Sequence, residues 1–488
     1  MIMKYLPALT ALACCTLAGA QPELQVTAPA AHLSVSDPLA LSKQTTEDDQ
    51  TDVAVTVYNN NLALVRDTRS VKLLPGETTL QFMDVAELIK PQTVSLRSLK
   101  APGKLRILEQ NYEYDLMSPE KLMEKYVGKD VRLINKSEDY GFYEQAAKLL
   151  SVNGGPVYQI DGDIYLGHPG NVVLPEIPEE LIAKPSLIWT LDNEGTDHDV
   201  EVTYLTNGIS WSADYVMHYR EDEATMDLEG WVTLNNNSGA TYRNAELKVV
   251  AGEVNVAPEP MPMAEMAYAG APAMMRKSAD MQEESFAEYH LYTLPRRTTI
   301  KQNQSKQVSL LAASGVKVDK TYEFRGQQYF YSQRTPQFPT QNAQTFLSFQ
   351  NEEENQMGMP LPAGVMRVYQ ADSSGALQFS GEDRIDHTAK NEEVKLFLGE
   401  AFDIVGDRKQ TDWRDLGSNA YETAFEVSIR NRKDTPVKVD VVEPMPGDWK
   451  ILEKSHDYEK VDAFSAVFSL EVPADSEQIL TYRVRVTY

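Results

Sequence analysis

Apolar and polar residues alternate with a period of two along much of this chain, as they do in strands with one buried and one wet face. The last third shows it most clearly. Phe425, Val427 and Ile429 alternate with Glu426, Ser428 and Arg430, and Val437, Val439 and Val441 with Lys438 and Asp440. Phe464, Ala466, Phe468, Leu470 and Val472 repeat the pattern, as do Leu480, Tyr482, Val484 and Val486 around Thr481, Arg483 and Arg485. Near the front, Val53, Val55 and Val57 alternate with Ala54, Thr56 and Tyr58, then turn signals at Asn59-Asn60-Asn61 and Pro75-Gly76-Glu77 bracket a second run. The pattern predicts a mainly β protein with little helix, built of several antiparallel, Ig-like β-sandwich domains.

Breaks in the pattern suggest an organisation. Residues 52–115 read as an N-terminal β domain. Ser118 as N-cap, Pro119 at the first helical position and Glu120 in the first turn predict one short helix to about Tyr126. Five short strands within 127–175 suggest a small barrel-like module. Pro175, Pro178 and Pro185 mark a linker. A sandwich domain is expected over 186–345 and a C-terminal sandwich region over 346–488. Residues 21–51 read as a disordered lead, and 256–285, rich in Met, Pro and Ala, as a disordered insertion in the second sandwich.

The first twenty residues change the compartment. Lys4 precedes an apolar run from Tyr5 to Leu17, and Ala18-Gly19-Ala20 is a small-x-small cleavage pattern before Gln21. A signal peptide cleaved after Ala20 is expected, hence a periplasmic or extracellular protein. A lipid anchor at Cys14 or Cys15 is the alternative, but a lipidation site would want Leu or Val where Ala11 stands. Both cysteines of the chain lie here, so the processed protein would have neither disulfide nor thiolate chemistry. No later stretch approaches the eighteen apolar residues of a transmembrane helix. With 46 Lys and Arg against 72 Asp and Glu the net charge is −26, a surface that repels nucleic acid and anionic lipid.

Several segments resemble a known family. AKPSLIWTLDN (183–193), VTYLTNGISWSADYVMHY (202–219), LKVVAGEVN (247–255), YHLYTLPRRTTI (289–300), LGEAFDIVGDRKQTDW (398–413) and LTYRVRVTY (480–488) are similar to a bacterial secreted family of unknown function related to mucoidy inhibitor A. The resemblance covers about 185–488 and includes the Pro-, Ala- and Met-rich insertion before YHLYTL. It implies a secreted β-sandwich protein, hints at the cell envelope, and supplies no catalytic residue. Some longer relatives carry a coiled coil between the halves. This chain has no sustained heptads there.

Candidate chemistry is thin. Ser118-Pro119-Glu120-Lys121 matches the Ser-x-x-Lys tetrad of penicillin-binding enzymes, but its partner motifs are missing and a helix cap explains it. No Gly-x-Ser-x-Gly elbow occurs, and none of His32, His168, His198, His218, His290, His387 and His456 pairs at i and i+4 for zinc. Asp192 to Asp199 is dense in oxygen ligands, yet the twelfth position of a calcium loop falls on Thr203, so a hairpin turn is expected. Met261, Met263, Met266, Met274, Met275 and Met281 would suit Cu(I) or oxidants, and Trp189, Trp211 and Trp231 would stack sugars, though a mobile loop and core packing account for them. The sequence therefore designates no catalytic, cofactor-binding or metal residue and implies no cofactor. It leans away from an enzyme, toward a binding or scaffolding protein of the envelope whose partner is an unknown envelope protein or polysaccharide. An enzyme acting on envelope glycan or peptidoglycan through paired carboxylates, and an outer-membrane β-barrel ending at Tyr488, are the alternatives. Oligomeric state is not legible.

Overall fold

The computed structural model describes residues 42–488 apart from 138–140, 169, 179–180, 196, 253, 256–280, 287–288 and 336. The expected signal segment, residues 21–41 of the expected lead, and Met261 to Met275 of the insertion lie outside the described residues.

Strands dominate, as the alternation requires, and one α-helix occurs among the described residues, Pro119–Lys125. Ser118 caps it by accepting the Lys121 amide at 3.1 Å. The strands form five sheets, none closed on itself. The largest core joins four of them. Val55, Val57, Val65 and Val202 come from an eight-stranded sheet, Leu80, Phe82 and Trp189 from a four-stranded sheet, Tyr215, Met217 and Met366 from a five-stranded sheet, and Leu347 and Phe349 from a nine-stranded sheet. A second core, around Phe425, Phe468, Tyr482 and Val484, is enclosed by that nine-stranded sheet. Strand Glu393–Gly417 serves both. Val394 and Leu396 enter the first core and Ile404 the second.

The segments drawn apart by the sequence share sheets. In the eight-stranded sheet, Gln50–Tyr58 and Leu62–Lys72 lie between Tyr242–Ala251 and Asp197–Asn207. Gly364–Ala371 and Leu377–Ile385 extend the sheet that begins with Ile209–Arg220 and Thr225–Asn236. Four pairings among the described strands are parallel: Ser42–Thr45 with Gly76–Met83, Tyr242–Ala251 with Gln50–Tyr58, Gly364–Ala371 with Ile209–Arg220, and Asp319–Arg325 with Val437–Pro444. Period-two patterning fixes which face of a strand is buried. It does not fix which strand lies beside it, or in which direction.

Three expectations are corrected. Residues 127–175 form an open sheet in the order Asp163–Leu166, Val157–Ile160, Gly141–Ser151, Asp130–Ser137, Asn171–Val173, not a barrel, because its two edge strands do not pair. Its small core of Tyr126, Leu133, Leu149 and Tyr158 packs on one face only. This module is an excursion between two neighbours, since Leu105–Glu113 pairs directly with Ser186–Asn193. The end of the expected lead is ordered. Ser42–Thr45 is a strand, and the Thr45 carbonyl accepts from the buried Arg69 guanidinium at 3.0 Å. That guanidinium also bonds Asp67 and stacks on Phe82. The end of the expected insertion is ordered too. Met281 is buried in the first core and Gln282–Phe286 pairs with Tyr289–Thr293. Backbone pairing and a single buried arginine anchored segments that had no apolar period to reveal them.

Candidate functional site

The inner face of the eight-stranded sheet is apolar, and its outer face carries a depression. The floor is set by small side chains. Ala54 and Thr56 stand on strand Gln50–Tyr58, Ser95 on Ser95–Ser98 and Thr203 on Asp197–Asn207. Side chains stand roughly perpendicular to a sheet, so a run of short ones between long ones leaves a trough. It encloses about 390 Å3. Arg66, Arg97, Lys248 and Glu201 rise around it.

Register brings these residues together from five strands of the chain. Ala54 lies opposite both Arg66 and Glu246, Thr203 opposite both Arg66 and Ser95, and Glu201 opposite Arg97. Lys248 lies opposite Thr56, which lies opposite Leu64. Glu201 is only 8% exposed, and its Oε1 accepts from Arg97 Nε at 2.7 Å with Nη2 at 2.6 Å. Lys248 Nζ lies 3.3 Å from Glu246. Arg66 is held loosely. Its nitrogens lie 3.9 Å from Glu201 and 3.8 Å from Glu246, beyond hydrogen-bond reach, with nearly half its side chain exposed. Three cations face two carboxylates in a chain of net charge −26. The trough therefore offers unspent guanidinium donors, a positive balance and a small polar floor, which suit binding of an anionic group. Sequence reasoning singled out none of these residues. Each is an ordinary wet-face position on its own strand.

The residues that the sequence did single out fall elsewhere. Ser118 Oγ is spent on the helix cap, and Lys121 Nζ turns to Glu124 at 3.2 Å and Asp115 at 3.9 Å, so the tetrad is a cap with a surface lysine. Asp192 and Asp199 are engaged by Arg106 and Lys100. The strands on either side, Ser186–Asn193 and Asp197–Asn207, belong to the four-stranded and the eight-stranded sheet and do not pair. The expected hairpin is therefore not formed, and the chain passes from one sheet to the other here. Among the described residues no group of three His, Cys, Asp or Glu side chains is placed to hold a metal ion. Trp189 and Trp211 are core residues whose indole N–H groups donate to Gln110 Oε1 and the Val250 carbonyl, while Trp231 is half-buried. His218 packs beside Tyr369 with ring centroids 6.1 Å apart.

One arrangement mimics hydrolase chemistry. His198 Nδ1 lies 2.9 Å from Ser98 Oγ, and its Nε2 lies 2.9 Å from Asn193 Oδ1. Asn193 Nδ2 donates to the Leu74 and Gly195 carbonyls, so Oδ1 is the acceptor. That assigns the proton to His198 Nε2 and makes Ser98 the donor to Nδ1. His198 is fully buried and Ser98 nearly so. Neither lines the trough, and the trio fastens Gly195 and the end of strand Ser186–Asn193 to the end of strand Ser95–Ser98. Burial lowers the His198 pKa below its ordinary value, against the opposing pull of Asp197. Above that ordinary value both folded and unfolded states carry neutral imidazole. As the pH falls through it, the unfolded chain takes a proton that the folded site resists, so stability drops. Urea midpoints between pH 8 and pH 5 are expected to fall in the wild type and to fall less steeply in His198→Gln. Equal slopes would remove His198 from the acid response.

Residues 200–488, more than half of the chain, match the family model described as Domain of unknown function (DUF4139). The match takes in Glu201, Thr203 and Lys248 of the trough, whereas Ala54, Arg66 and Arg97 precede it. No curated protein matches the chain.

Proposed function

Since the chain belongs to the DUF4139 family of unknown function, we propose that it is an exported, non-enzymatic β protein of the cell envelope that binds its partner in the trough of the eight-stranded sheet. The single observation that carries the reading is the concentration of Arg66, Arg97 and Lys248 around a depression of about 390 Å3 on a strongly acidic chain. Export is supported by the leader pattern ending at Ala20, and an envelope role by the kinship with mucoidy inhibitor A that the six quoted segments suggest. No helix among the described residues is long and apolar enough to cross a membrane.

The test uses the full chain expressed with its leader. Osmotic shock should release a protein that begins at Gln21. That protein should co-sediment with isolated sacculi or with precipitated exopolysaccharide, and Arg97→Ala with Lys248→Ala should weaken the association about tenfold. Arg97 is exposed and Lys248 half-buried, both on the outer face of ordered strands, so folding should survive. Sedimentation that is equal in wild type and variant would reject the trough. Release of soluble sugar from either polymer would replace binding with catalysis.

A further inference from the structure

The trough has a geometry finer than its net charge. Taking rows across the sheet, Lys248 stands in the row of Leu64, Arg66 in the next outward-facing row, and Arg97 in the row of Thr68 beyond it. Across the strands, Lys248 is two strands to one side of Arg66 and Arg97 two strands to the other. The Cα atoms of the three residues therefore lie on one straight diagonal with equal steps. The carboxylates of Glu246 and Glu201, each near two of the cations, draw the charged heads somewhat closer together than the backbone interval. Two inter-strand spacings and two residues of rise put neighbouring Cα atoms about 12 Å apart. The carboxylates fill the intervals, Glu246 between Lys248 and Arg66, and Glu201 between Arg66 and Arg97.

We infer that the trough takes a linear polysaccharide bearing carboxylates at every second sugar ring, laid along the diagonal so that successive acid groups meet Lys248, Arg66 and Arg97. This rests on the trough being the binding surface. Three features favour that class of ligand. The cations recur at one interval, which rewards a repeating polymer over a single ion. The interval is wider than one sugar ring, and an acidic protein carboxylate occupies each gap, so a polymer charged at every ring would set its intermediate acids against Glu246 and Glu201. The gap residues Ala54, Thr56, Thr203 and Ser95 are short and mostly polar, leaving room for an uncharged ring and hydroxyls to bond it. Arg66 is the central contact. Its guanidinium makes no hydrogen bond among the described residues and is free to grip a carboxylate with two parallel N–H donors.

Isothermal titration of the full processed chain tests this with four probes: hyaluronate hexasaccharide, with an acid at every second ring, oligogalacturonate of equal length, with an acid at every ring, neutral dextran oligomers, and inorganic phosphate. The expected order is hyaluronate tightest by about tenfold or more, with an affinity that falls as NaCl rises. Arg66→Gln should weaken hyaluronate about tenfold, while Arg66→Lys should weaken it less. Equal binding of hyaluronate and oligogalacturonate, both lost in Arg66→Gln, would overturn the spacing and leave the trough as a general polyanion site. Phosphate binding as tight as hyaluronate would overturn the polymer. Dextran binding as tight as hyaluronate would overturn the anion. Failure of all four to bind, or binding indifferent to Arg66, Arg97 and Lys248 together, would overturn the trough itself.

Discussion

Glu443→Gln is expected to lower the unfolding free energy by about 3–5 kcal/mol, the cost of leaving a buried cation without its counter-ion. Arg408 is 6% exposed inside the second core. Its Nη1 lies 2.5 Å from Glu443 Oε1, and Tyr331 Oη donates to Glu443 Oε2 at 2.7 Å. The rings of Phe324, Phe330 and Phe425 surround the guanidinium at 5.2–5.8 Å. Burial works against the arginine's charge, yet Glu443, Tyr482 and Tyr331 together hold it protonated. Burial also raises the Tyr331 pKa well above the ordinary range, and Glu443 adds to this, so the phenol remains a donor. Arg408 Nη2 has no hydrogen-bond partner, so once the carboxylate is gone the cation keeps only the long 3.4 Å bond from Nη1 to Tyr482 Oη. Arg408→Met with Glu443→Leu removes both charges and should restore most of the lost stability. Urea denaturation followed by near-ultraviolet circular dichroism measures both. A loss under 1 kcal/mol in the single variant, or a double variant weaker than the single, would show that the pair is not what organises this core.

Gly406→Ala carries the second large effect. Gly406 sits in strand Glu393–Gly417, two residues beyond Ile404, in the portion that serves the second core. A Cβ there would fall 2.3 Å from Phe324 Cε2 and 2.5 Å from Cδ2, inside van der Waals contact with a ring that is itself buried. Overpacking of this kind costs about 1–3 kcal/mol. Phe324→Leu in the same chain trims the ring and should recover part of it. A melting temperature unchanged by the single substitution would mean that the Phe324 ring has room to withdraw.

Much of the fold could be read from single strands, and almost none of the candidate site. Phe425, Val427 and Ile429 face the second core as their alternation with Glu426 and Ser428 demands. The helix at Pro119–Lys125 begins where Ser118 and Pro119 place it. What a strand cannot declare is its neighbour. Lys248 and Thr56 are neighbours across a parallel pairing of segments nearly 200 residues apart in sequence, and Arg97 meets Glu201 across another long interval. The diagonal exists only once five strands are set in register, so no local pattern marks it. The nearest local signal was negative. Arg66, Arg97 and Lys248 are long cations on wet faces flanked by Ala54, Thr56, Ser95 and Thr203, where an ordinary solvated sheet face would also place them. Ser98, His198 and Asn193 escaped for the same reason, since Ser98 lies a hundred residues from its imidazole.

The pairing of Leu105–Glu113 with Ser186–Asn193 has an evolutionary consequence. Glu113 lies opposite Ser186, so the chain leaves the sheet and returns to it one strand apart, with the Leu116–Ile182 bridge closing the neck. The scaffold thus contains a socket. Any unit whose two ends emerge side by side, a helical hairpin as readily as the open sheet found here, can be grafted there without altering a single register of the sheets beneath. Descendants of one ancestral gene can exchange such appendages and with them their reach or partners, while keeping the trough unchanged.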